Sequence, residues 1–189
     1  MQASPALGKL VISQVYGGGG NSGAPLRSDY VELFNRSAVP VSTAGLSLQY
    51  AGNTATFSAS NTFALPTATI APGAYYLVKL ADGSNASAPA LPTPDATGSL
   101  ALGGTGGKIA LVGNAEAITG ASDSDVIDFV GFGTGAGERE GTANTPAPSN
   151  TTSIFRKLNG CQDTNQNGDD FVTGAPAPRN SATPLNVCN

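Results

Sequence analysis

Apolar and polar residues alternate along this chain in short runs, and glycine, proline, asparagine and serine stand between the runs. Leu10–Tyr16 sets Leu, Ile and Val against Val, Ser and Gln, and the glycine-rich stretch Gly17–Gly23 follows as a loop. Tyr30–Phe34 places Tyr30, Glu32 and Phe34 on one face and Val31 and Leu33 on the other. Further strands are predicted at Leu46–Tyr50, Thr54–Phe57, Tyr75–Leu80, Lys108–Val112, Val126–Phe132 and Thr152–Lys157. Ile70-Ala-Pro-Gly73 reads as a turn, and Ala81–Thr97 and Gly141–Asn150 read as surface loops. No stretch carries the period of an amphipathic helix, and no unit repeats every 20–50 residues. Seven to eight short strands with regular turn punctuation predict an all-β, immunoglobulin-like β-sandwich.

Length and composition sharpen that picture. A chain of 189 residues fits one domain and can bury roughly 70% of its unfolded surface. Twenty-five glycines, 13 prolines and only 12% charged residues would suit disorder, were the 40% hydrophobic content not gathered into strand-like runs. The net charge is −4 and the nine basic residues are scattered, Arg156-Lys157 being the one adjacent pair. Affinity for a duplex comes from neutralised phosphates, so unaided nucleic-acid binding is not expected. No apolar run approaches the ~20 residues of a membrane helix. Residues 1–8 are expected to be disordered or a processed start, with Gln2-Ala3-Ser4-Pro5 as the beginning of a mature chain. Residues 9–189 form one domain that includes a C-terminal tail, 158–189. Cys161 and Cys188, the only cysteines, are too far apart in sequence for a usual metal or redox pair. They read as a disulfide clamping that tail, two buried free thiols being the alternative. A disulfide places the chain in an oxidising compartment, extracellular or periplasmic.

The ordered series of strand words carries a resemblance. Leu10-Val-Ile-Ser-Gln-Val-Tyr16, Asp29-Tyr-Val-Glu-Leu-Phe-Asn35, Val41–Leu48, Ile70-Ala-Pro-Gly-Ala-Tyr-Tyr-Leu-Val78, Gly107–Val112, Val126-Ile-Asp-Phe-Val-Gly-Phe-Gly133 and Ser153-Ile-Phe-Arg-Lys157 together resemble the lamin-tail domain. That family is immunoglobulin-like and occurs in nuclear lamins and in many secreted bacterial proteins. The Tyr16–Gly23 loop and the Cys161-Gln-Asp-Thr-Asn165 ending resemble the bacterial branch, where the domain often neighbours an extracellular nuclease or phosphatase. The resemblance implies an accessory or interaction role and brings no catalytic residues with it.

The candidate sites are few. Asp163-Thr-Asn-Gln-Asn-Gly-Asp-Asp170 spaces oxygen ligands like the first half of an EF-hand loop, with Gly168 at the sixth position. Asp163, Asn165, Asn167, Asp169 and Asp170 are the candidate calcium ligands, with a structural role for the ion. The twelfth position is Gly174 rather than Glu, and an Asx-rich turn is the competing reading. Gly17–Gly23 fits no phosphate-binding pattern and reads as a hairpin loop. Asp29 and Glu32 fall on opposite faces of one strand, with Glu32 meeting a cross-strand partner or solvent. Asp123, Asp125 and Asp128 read as the solvated start of a strand. The five tyrosines are core or edge residues that could also stack on sugars, and one of Tyr75 and Tyr76 is expected to face outward. Asn35, Asn85 and Asn150 head the pattern Asn-x-Ser/Thr, which is common by chance. The chain has no histidine, which removes Ser-His-Asp and Cys-His centres and the usual zinc ligand. The expectation is a monomeric, non-catalytic binding or targeting module of a secreted protein. The alternative is a stand-alone cell-surface adhesion module that binds a glycan or a protein.

Overall fold

The computed structural model describes residues 4–189. The strands, in chain order, are β1 Leu10–Tyr16, β2 Ser28–Asn35, β3 Val41–Ser42, β4 Ser47–Ala51, β5 Thr62–Ala64, β6 Thr69–Ile70, β7 Tyr75–Asp82, β8 Ala96–Thr97, β9 Gly107–Val112, β10 Val126–Phe132, β11 Ser153–Arg156 and β12 Phe171–Gly174. A single four-residue helical turn, α1 Asn167–Asp170, precedes β12. One sheet has the order β12-β11-β1-β2-β7-β8 and the other β10-β9-β4-β5, with β3 and β6 pairing apart. All pairs are antiparallel except β7 with β8. The two sheets make the immunoglobulin-like sandwich that strand patterning predicts.

Alternation decides the core. Val31 and Leu33 of β2 and Tyr76, Val78 and Leu80 of β7 meet Leu48, Tyr50, Ile109 and Leu111 of the facing sheet. On β1, Leu10 and Ile12 point inward, and then the register shifts between Ile12 and Gln14. The bulge returns Val15 to the core. The opposite faces are covered as well. Phe57, Ile118 and Phe129 blanket the outside of the four-stranded sheet. Val11, Phe34 and Tyr75 pack beside the two cysteines on the outside of the six-stranded sheet. Tyr75 and Tyr76 are therefore both buried, on opposite faces, and neither faces solvent.

Thr54–Phe57 is not a strand. Its segment is held by Asn53 O, which accepts from Gly137 N at 2.9 Å, and by Ala55 O, which accepts from Lys108 Nζ at 2.8 Å. The ladder partner of β4 is Thr62–Ala64 instead. Asp128 is also not solvated: it is 2% exposed, because β10 turns it inward beside Val130 and Phe132. Ala6 is fully buried against the core, so packing begins within the first eight residues.

Candidate functional site

Charged side chains at inward positions mark the first centre. Arg156 follows Ile154 at the next inward position of β11, and Asp128 precedes Val130 on β10, so strand alternation aims both between the sheets. The Arg156 side chain has no solvent exposure. Its Nη2 donates to both oxygens of Asp128 at 2.8 Å, and its Nε donates to Ile12 O at 2.9 Å. Its Nη1 donates to Asp163 Oδ1 at 3.0 Å and to Gln162 O at 3.3 Å. Each of the three guanidinium nitrogens thereby has a buried partner. The planar group also lies 4.6 Å from the centre of the Phe171 ring. Burial lowers the pKa of this arginine, but the charges of Asp128, Asp163 and Glu140 outweigh it and raise the pKa above its ordinary value. One side chain thus ties β11 to β1, to β10 and to the tail loop.

Glu140 closes the same cluster. It accepts from Phe129 N and from Asn167 Nδ2, each at 3.2 Å. Burial first, and then the Asp128 charge, push its carboxyl up to about 8. Oxygens of Asp128, Glu140 and Asp163 lie within 4.8 Å of one another, the one such group of three among the described residues. Three carboxylates at this spacing suit a divalent cation, but two of them, Asp128 and Asp163, already share the Arg156 guanidinium.

The five tail-loop residues with calcium-like spacing serve separate partners. Asp163 bridges Arg156 and Arg36, the latter at 3.0 Å. Asn165 is exposed. Asn167 turns into the core, accepts from Gly131 N and Glu140 N, and donates to Phe129 O. Asp169 is exposed, and its backbone carbonyl accepts from Lys157 Nζ at 2.6 Å. Asp170 is buried and accepts from Thr164 N at 2.8 Å and from Gln166 N at 3.3 Å. Burial raises its pKa, but these hydrogen bonds outweigh it and hold the group below the usual range.

The second centre lies on the outer face of the six-stranded sheet. Glu32 of β2 is fully buried there and meets cross-strand partners on β1, accepting from Ser13 Oγ at 2.5 Å and from Gln14 Nε2 at 3.3 Å. Its charged partner is Arg179, in the strap that follows β12. Arg179 Nη2 donates to Glu32 Oε1 at 2.8 Å, and Nε and the backbone N donate to Oε2 at 3.1 and 2.8 Å. The guanidinium carbon sits 3.9 Å from the Tyr75 ring centre, and Nη1 donates to Tyr75 Oη at 2.9 Å. Gln14 of β1 exchanges two hydrogen bonds with the backbone of Ala177, at 3.0 and 3.1 Å. The strap then meets Asp95 through Ser181 and Gly73 through Asn186. It ends at the disulfide Cys161–Cys188, as cysteine usage predicts.

The glycine loop is a packing device. Asp29 sits at its base and accepts from Gly19 N and Leu102 N, both at 2.9 Å. Burial, working against these two N–H groups, pushes Asp29 up to about 6. A Cβ on Gly19 would fall 2.2 Å from the Ser28 carbonyl carbon, so the loop lies directly on backbone at this position. Arg156, Glu140 and Arg179 escaped the sequence reading. For Arg156 and Asp128 a signal existed: a charged residue at an inward position of an otherwise apolar strand. Arg179 carried no local signal, since its partners lie far upstream in the chain.

A sequence model of the Lamin Tail Domain family matches residues 3–134. The chain is also similar to a solved structure, that of a DUF4876 family protein from Bacteroides thetaiotaomicron. Identity is 15%, the TM-score is 0.57, and the match covers 95% of this chain and 74% of that one. At such identity the likeness concerns the fold. No curated protein matches.

Proposed function

Since the chain belongs to the lamin tail domain family, we propose that it works as a non-catalytic binding or targeting module of a secreted protein. The observation that carries this reading is where its charges go. Asp128, Asp163 and Arg156 hold the two sheets and the tail loop together, Glu32 and Arg179 hold the strap, and Asp29 holds the glycine loop. Each is committed to the fold rather than turned toward a substrate. The disulfide supports an extracellular working place, since such bonds persist where the medium is oxidising. No helix among the described residues is long and apolar enough to cross a membrane. A protein partner is favoured over a glycan, because all five tyrosines are buried and none offers a stacking platform.

The test is turnover by the purified chain on supercoiled DNA, RNA and an aryl phosphate ester, with Mg2+, Mn2+ or Ca2+ between pH 5 and pH 9. No hydrolysis above buffer is expected. Turnover that Asp128→Asn or Glu140→Gln abolishes, in variants that still fold, would overturn the reading.

A further inference from the structure

The chain has 13 acidic residues. Five of their carboxylates, those of Asp29, Asp95, Asp123, Glu140 and Asp170, accept from N–H or O–H groups of the protein. Another five, those of Glu32, Asp82, Asp128, Glu138 and Asp163, meet a cation. Glu116 and Asp169 are exposed to water. Asp125 alone is different. It is half-buried, and among the described residues only its backbone finds partners: N donates to Asp123 Oδ1 at 3.1 Å, and O accepts from Gly113 N at 2.8 Å. The partly desolvated carboxylate has no compensating donor.

Asp125 lines a cavity of about 610 Å3, a volume that suits a small ligand. The cavity lies where the N-terminal segment meets the β3–β4 and β9–β10 connections, at the end of the sandwich opposite the glycine loop. Leu7, Leu46 and Val126 give it an apolar wall, and Ser4 and Ser42 give it hydroxyls. Each of these serine oxygens accepts one backbone N–H, from Ala6 and from Ala44, and keeps a second lone pair. No basic residue lines the cavity among those described. Residues 113–125, which join β9 to β10, carry Glu116, Asp123 and Asp125 and no Lys or Arg, so the field at this end favours a cation.

We propose that this cavity binds a small organic ammonium ion, a protonated primary amine with an apolar body, and that Asp125 is its counter-ion. The ammonium has three N–H donors. The Asp125 carboxylate takes one in a charge-assisted hydrogen bond, the serine oxygens offer further acceptors, and the apolar wall takes the body. A calcium ion would need six to eight oxygens, and here a single carboxylate stands beside an apolar wall. A protein partner would need about 800 Å2 of surface on each side, whereas this is a concave pocket. The site goes beyond the binding-module reading and does not rest on it.

The experiment titrates the full chain with hexylammonium chloride at pH 7, read by calorimetry and by the backbone amide signals of Gly113 and Val126. Hexylammonium is expected to bind at least tenfold more tightly than hexanol, which lacks the charge, than hexanoate, which reverses it, and than methylammonium, which lacks the body. Asp125→Asn should lose at least tenfold in affinity for hexylammonium. Without ligand it should melt at the temperature of the parent chain, because the backbone bonds of residue 125 remain. Equal affinity for hexylammonium and hexanol, no binding at 20 mM, or an Asp125→Asn variant that binds like the parent would overturn the site. Displacement of hexylammonium by an equal concentration of Mg2+ or K+ would overturn it too, since Asp125 would then be a counter-ion for any cation. Should Asp125→Asn not fold, the comparison of the four probes on the parent chain decides alone.

Discussion

A buried arginine with a partner on every guanidinium nitrogen is a fixed point in an otherwise apolar interface. Removing one partner of such a group leaves the other charge buried and uncompensated, which costs about 3–5 kcal/mol. Arg156→Met is expected to destabilise by that amount in urea unfolding. Asp128→Leu in the same background should add much less than it costs alone, because the two act as one unit. Proton linkage at this cluster has a definite sign. Glu140 is raised from its ordinary 4.5 to about 8, so the folded chain binds a proton there that the unfolded chain releases. The stability this contributes is full below about pH 4.5 and is lost as pH rises through 8. Asp29, raised to about 6, acts in the same direction over a lower window. Melting points should therefore fall between pH 5 and pH 9, and Glu140→Gln should flatten the upper part of that fall.

The Gly17–Gly23 loop resembles a flexible ligand cradle only as a string of letters. Gly19 touches the backbone of Ser28 and Asp29, and a methyl group there must displace main chain. Gly19→Ala is expected to cost about 3 kcal/mol, the upper end of overpacking effects, whereas a free loop would tolerate it. The tail loop makes a contrasting prediction. Asp163 is held by two guanidinium groups, and Asp170 by N–H groups of its own turn. We expect the melting point in millimolar calcium to equal that in EDTA. A calcium site saturated at 100 times its dissociation constant would instead add about 2.7 kcal/mol.

Across the whole molecule, the family match and the folding unit differ in extent. The match ends at residue 134, while Arg156, Arg179, β11, β12 and both cysteines follow it. A chain ending at Thr134 would leave Asp128 and Glu32 without their cations in a water-poor interior. It is expected to lose cooperative unfolding, as read by calorimetry. Reducing the disulfide is milder. The two cysteines are 27 positions apart, and a ring of that size constrains the unfolded chain by about 3.5 kcal/mol. The melting point should drop by roughly 10 °C while the sandwich persists.

Taken by itself, the sequence determined the sandwich and the family. Strand alternation is local and survives without knowledge of neighbours, so β1 and β10 could be read to the residue and the inward set Val31 and Leu33 was legible. The disulfide was legible too, because two cysteines offer one pairing. Tertiary structure alone decided which charges meet. Glu32 and Arg179 lie at opposite ends of the chain, and Asp128 and Arg156 on different sheets, so no window of sequence contains either pair. The same holds for the outward faces. A strand half-exposed by pattern becomes wholly buried once a distant strap crosses it, which is why one of Tyr75 and Tyr76 is expected to face outward and both are buried. Thr54–Phe57 alternates like a strand, yet the ladder beside β4 went to Thr62–Ala64, and propensity yielded to register.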